Sequence, residues 1–228
     1  MSTEIPPSRA ESEALQILAT EHWSLLATRA LTYQESLGRV NMFLTILSGA
    51  VIALALVAQA DHFGPAFFAI AIFMLAVVFI TGVFTVARLQ SLNRDDFRWV
   101  LGMNRIRNAY LDLHPELENH FTTSSYDDMS GALRTLGIDP VGASRLGSLF
   151  HGLQTLPGML SMIVASVGGA IGGLLAAGFG GPPVVILLSG LAAFVLAAVG
   201  MVISLSRSVR HLTPSLGPRF PSPPKSPT

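Results

Sequence analysis

The chain has 228 residues, of which 50 % are hydrophobic and 12 % charged, about half the charge content of an ordinary soluble domain. It contains no cysteine, which excludes a disulfide scaffold, a thiolate metal site and a cysteine nucleophile together. Its 14 basic and 14 acidic residues cancel, and that balance argues against a nucleic-acid partner recruited by bulk positive charge.

At the N-terminus, Ser8-Arg9-Ala10-Glu11 has the spacing of a capping box. Downstream, Ala19, Trp23, Leu26, Ala30, Tyr33, Leu37 and Val40 recur at intervals of four and three, which places them on one face of a helix. No proline interrupts the pattern, so residues 1–40 are expected to form a cytoplasmic amphipathic helix continuous with a first span over 41–60. From Val40 to Ala87 the only charged residue is Asp61, and Asp61-His62-Phe63-Gly64-Pro65 breaks the block. Gly64 can end one helix and Pro65 begin the next. Residues 41–87 therefore read as a tight transmembrane hairpin. The second helix is expected to run on to just before Pro115, since the residue preceding a proline disfavours helix. Its stripe is Leu89, Leu92, Asp96, Trp99, Met103, Ile106, Tyr110 and Leu113.

The two stripes predict a cytoplasmic stalk in which Trp23, Leu26, Tyr33 and Leu37 bury against Trp99, Met103, Ile106 and Tyr110. A second reading has these faces also pairing between subunits of a homo-oligomer. Arg94, Arg98, Arg105 and Arg107 are expected to form a basic flank on the stalk, with Arg98 within reach of Asp95.

The rest of the 88–145 segment is polar. His114 to His120 offers two histidines and two glutamates, but at no standard ligand spacing, so a solvated turn is expected rather than a metal site. Asp127-Asp128 can cap a short helix through Leu136, closed by Gly137 and Pro140. Residues 146–206 read as an interfacial segment followed by a glycine-rich hairpin. Its spans cover about 157–177 and 184–206, broken at Gly178 to Pro183. In the third span Ser161, Ala165, Gly169, Gly173 and Ala177 recur every fourth residue, beside Gly168, Gly172 and Ala176. Such a ridge lets helix backbones approach closely, here against Ser189, Ala193 and Ala197 or against another subunit. The tail, 207–228, has six prolines and four basic residues and is expected to be disordered.

All 14 basic residues avoid the two hairpin tips, which places both termini and the central segment in the cytoplasm. The expected fold is all-α, an integral membrane protein of four helices in two tight hairpins with a cytoplasmic helical stalk. No acidic or basic residue falls inside a predicted span, which argues against an ion-coupled transporter. Thr45, Ser48, Thr81 and Thr85 could line a pore or bond their own helices. No catalytic residue, cofactor site or metal site is assigned, because no nucleophile elbow, phosphate loop or zinc helix occurs.

The run Gly102-Met103-Asn104-Arg105-Ile106-Arg107-Asn108-Ala109-Tyr110, followed by Pro115-Glu116-Leu117, resembles a motif of bacterial multi-pass membrane proteins that have no assigned activity. The likeness covers roughly the first half of the chain and implies residence in the cell inner membrane. In architecture that half is similar to SLATT-type effectors, which implies oligomerisation and membrane perforation. The second, glycine-rich hairpin departs from that pattern. The expected function is a non-catalytic scaffold, with the lipid bilayer, a homo-oligomer or a cytoplasmic protein as partner and no nucleic acid. The alternative is an oligomeric pore.

Overall fold

The structure, a computed structural model, describes residues 9–138, 152, 154–210 and 217–223. The expected Ser8 cap and most of the interfacial segment lie outside these residues. The elements are α1 (Arg9–Asp61), α2 (Pro65–Leu113), a 3-10 helix (Pro115–His120), α3 (Met129–Thr135), α4 (Leu156–Gly178) and α5 (Pro183–Arg210). No strand occurs among the described residues. Helices α1, α2, α4 and α5 are long and apolar enough to cross a membrane, with mean hydropathies of 1.9 to 2.8 over their most apolar stretches.

Helix boundaries follow from a few residues. Between α1 and α2 the chain turns through His62 and Phe63, both at positive φ, and Gly64. There Asp61 acts as a clasp: its carbonyl accepts the Gly64 amide at 2.9 Å and its carboxylate accepts the Phe67 amide at 2.7 Å. The second contact satisfies one of the orphan amides at the start of α2. α2 ends at Leu113, where Pro115 forbids another helical turn. Thr155 caps α4 by accepting the Gly158 amide.

The chain divides into two compact units. The apolar unit comprises Gln34–Leu92 and Arg145–Arg210. Phe43, Val78, Leu89, Leu160 and Val164 form its centre, and Phe43 is fully buried. Gly82 is what admits them, since a Cβ there would fall 2.5 Å from Val164 Cγ2 and 2.9 Å from Phe43 Cε2. Ile52, Leu56, Phe73, Phe84, Leu187 and Leu196 face outward with most of their surface bare. In water so much apolar area is costly, whereas hydrocarbon accepts it at no such cost. Glu35 accepts hydrogen bonds from Arg39 and Arg88, and these donors draw its carboxyl below the ordinary glutamate range. Thr45, Thr81 and Thr85 donate to carbonyls one turn back on their own helices.

α4 and α5 run antiparallel at close range. A Cβ on Gly169 would meet the Gly190 carbonyl oxygen at 3.1 Å. One on Gly172 would sit 2.6 Å from Ala193 Cβ and 2.8 Å from the Ser189 carbonyl oxygen. Gly173 is looser, with nothing nearer than the Ile186 oxygen at 3.7 Å. Ala165 is buried, and the Ser161 hydroxyl bonds the Pro157 carbonyl of its own helix. The tightest point of the ridge is therefore Gly172, one position beside the row of Gly169, Gly173 and Ala177. We expect Gly172→Ala to cost about 1–3 kcal/mol through overpacking, and Gly173→Ala to stay within about 0.5 kcal/mol of the parent. Thermal unfolding of the two purified variants in the same detergent checks the contrast.

Candidate functional site

The polar unit comprises Met1–Tyr33, Asn93–Ser144 and His211–Thr228. Here α1 and α2 run antiparallel. Glu11 lies 3.7 Å from His114, Leu25 packs over Gly102, and Arg29 forks onto the Asp96 carboxylate at 2.6 and 3.2 Å. These contacts fix the rotation of α1. Its half-buried contact seam passes through Leu25 and Arg29, not through the expected apolar stripe. Trp23 is 69 % exposed and Tyr33 61 %, and Leu26 is exposed with them; in the apolar unit Leu37 is likewise exposed. On α2 the expected members Met103 and Ile106 are buried, and Trp99 and Tyr110 are half-buried. The mutual burial expected of the two stripes therefore fails on the α1 side. Asp96 is the reason, because it lies on the α2 stripe. Turning Trp23 and Tyr33 inward would pull Arg29 away and leave the half-buried Asp96 carboxylate without its partner.

The motif around Asn104 organises the rest of the unit. Asn104 is fully buried in the α2 surface. Its Nδ2 donates to the Tyr126 carbonyl at 2.8 Å, and its Oδ1 accepts from Thr135 Oγ1 at 3.0 Å and Arg107 at 2.7 Å. One side chain thereby fixes both ends of the 126–135 segment to α2. Next to it, Arg105 Nε donates to Asp127 Oδ2 at 2.6 Å. Val100 and Leu101 bury against Ala132 beneath α3. Asp128 caps α3 by accepting the Gly131 amide at 2.7 Å, and a Cβ on Gly131 would collide with the Tyr126 carbonyl.

The same two aspartates hold the C-terminal segment. Asp127, 1 % exposed, accepts the amides of Arg219 at 3.0 Å and Phe220 at 2.8 Å, and its own amide donates to the Phe220 carbonyl at 3.1 Å. Asp128 accepts the Ser222 amide at 3.2 Å and the Ser222 hydroxyl. The expectation of a wholly disordered tail is thus corrected for residues 217–223. Proline content denies that segment helix or sheet, but it still offers backbone donors, and two carboxylates take them.

The basic flank is corrected in the same way. Arg107 is buried against Asn104, Arg105 is bonded to Asp127, and only Arg98 keeps the exposed pairing with Asp95 expected for it. Arg94 is half-buried. Burial first, then the charge of Arg29, draws the Arg107 guanidinium below the ordinary arginine range. Burial first, then Arg107, lowers His22. Among the described residues, His22 Nδ1 and Trp99 Nε1 are buried without a hydrogen-bond partner. His114 pairs with Glu116 and Glu11, and no group of three or more His, Asp or Glu able to hold a metal occurs among the described residues. Thr122 to Ser125 line a shallow cavity of about 260 Å³ with Glu118 and Arg134, a surface suited to hydrogen bonding.

No protein-family model, curated protein or solved structure matches the chain. Among the described residues the structure is all-helical, with four helices long and apolar enough to cross a membrane.

Two outcomes follow from the Asp127 site. Asp127→Asn removes a buried charge that faces the part-exposed Arg105 and should destabilise the polar unit by about 1–2 kcal/mol. Trypsin should then cut after Arg219 several-fold faster than in the parent. The second outcome concerns pH. Burial pushes both carboxyls up, but the donors outweigh it. The Arg219 and Phe220 amides with Arg105 hold Asp127 below the ordinary value of 3.8, and Ser222 with the Gly131 amide does the same for Asp128. The folded values are lowered, so their contribution to stability is complete above 3.8 and is lost as the pH falls through the folded values. A spin label at Pro221→Cys should stay immobilised from neutral pH down to about pH 5 and gain mobility only below the ordinary aspartate range.

Proposed function

We propose that the chain is a non-catalytic, multi-pass scaffold of the bacterial inner membrane, with both termini and the polar unit in the cytoplasm, that docks another polypeptide on the outer face of α1. The observation that carries this reading is the bare apolar face of α1 in the polar unit, where Trp23, Leu26 and Tyr33 lie together and Trp23 and Tyr33 are each more than 60 % exposed. Contiguous apolar surface of this kind on a polar unit marks an interaction site. The reactive-looking side chains support it from the other direction. Arg105, Arg107, Asp127 and Asp128 are engaged in holding the unit together.

The pore alternative gains no comparable support. Its candidate hydroxyls at Thr45, Thr81 and Thr85 bond their own helices, and Gly169 and Gly172 approach α5 of the same chain. The test is photo-cross-linking of the full chain in its native membrane from a benzophenone maleimide on Ala27→Cys, an exposed position beside Trp23, with and without the double substitution Trp23→Ser and Tyr33→Ser. The cross-linked species should fall about tenfold or more, since exposed aromatic anchors dominate such interfaces. Unchanged cross-linking by a correctly inserted double variant would sink the reading.

A further inference from the structure

Trp23, Leu26, Ala30 and Tyr33 lie at intervals of three, four and three and share one face of α1. All four are exposed. The neighbouring face is occupied by α2, through Leu25 on Gly102 and Arg29 on Asp96. Between Glu21 and Tyr33 the only charged side chain is Arg29, and it is bonded to Asp96. The bare face therefore carries no ionised group. An acidic or basic partner finds nothing to pair with, and a copy of the same face meets no like charge.

Size narrows the partner further. The bare parts of Trp23 and Tyr33 amount to on the order of 100 Å² each. With Leu26 and Ala30 the face falls well short of the ~800 Å² per partner that a free-standing complex needs. It can hold only a partner whose concentration and orientation are already constrained. A second copy is constrained in both respects, because α1 runs unbroken from this face to Asp61 through a stretch apolar enough to span a membrane. Every copy then presents α1 from the same bilayer with the same polarity, and confinement replaces area.

We infer that this face is a parallel, two-fold seam between two copies of the chain, with Trp23, Leu26, Ala30 and Tyr33 as the a and d positions of a short coiled coil. The inference rests on the scaffold reading above and names its partner. A parallel two-fold sets each residue opposite its own equivalent, so Ala30 faces Ala30 of the partner subunit across the axis.

The absence of cysteine makes the test clean. Ala30→Cys, Leu26→Cys and, on another face of α1, Ser24→Cys are each expressed as the full chain and oxidised in native membranes. The seam positions should give a disulfide-linked species of twice the 24.2 kDa chain mass, at least about fivefold more abundant than from Ser24→Cys. Equal yields at the three positions would indicate random collision and overturn the seam. A photo-reactive maleimide on Ala30→Cys separates the remaining outcomes. Adducts only to a polypeptide of another mass would overturn the second copy as partner and leave the scaffold reading standing. No adduct, with the cysteine fully open to a polyethylene-glycol maleimide, would overturn both.

Discussion

A carboxylate without access to water must be supplied with donors, and Asp127 is supplied with three. Arg105 comes from the helix below it and the Arg219 and Phe220 amides come from the far end of the chain. Because the donors come from two distant stretches of sequence, a single buried oxygen pair sets the positions of α2, the 126–138 segment and the tail relative to one another. Such a site is unforgiving. Satisfied, it specifies one arrangement; lacking any donor, it would leave a charge in a place that cannot solvate it. Asn104 supplies the neutral counterpart, spending every capacity of its amide oxygen and one of its two N–H groups on three partners.

The apolar unit answers the opposite problem. It has no shortage of apolar surface, and lipid gives helices no hydrophobic reason to associate. What can hold them is close approach, and the positions where backbone meets backbone are glycines. Gly82 receives Phe43 and Val164, and Gly172 receives Ala193 and the Ser189 carbonyl. The two units are thus stabilised by different physics, directional bonding in one and contact distance in the other.

Much of the fold was legible because it depends on local or periodic signals. The charge-free blocks gave the four long helices, Gly64-Pro65 the first turn, Pro115 the end of α2, and Asp128 the cap of α3. What was not legible depends on pairings between residues far apart in sequence. The stripe containing Trp23 and Tyr33 has the right period for burial, and period alone cannot say which of two adjacent faces wins. Arg29 and Asp96 decide that, 67 positions apart. The same limit hid the tail. Nothing in a proline-rich segment reveals that a carboxylate elsewhere will take its amides. A hint was Asn104, a polar residue one turn on from Val100 and Leu101, where an amide is retained only if it has partners.

The tie between Asp127 and Arg219-Phe220 also makes residues 217–223 a poor place for an experimental handle. Reporters and purification tags are usually appended to such prolines on the assumption that they dangle. Here a truncation before Gly217 would strip two donors from a buried anion, and a bulky fusion just past Ser222 would crowd the bonds to Asp128. A tagged protein that misbehaves would then report on the tag's position and not on the protein's role.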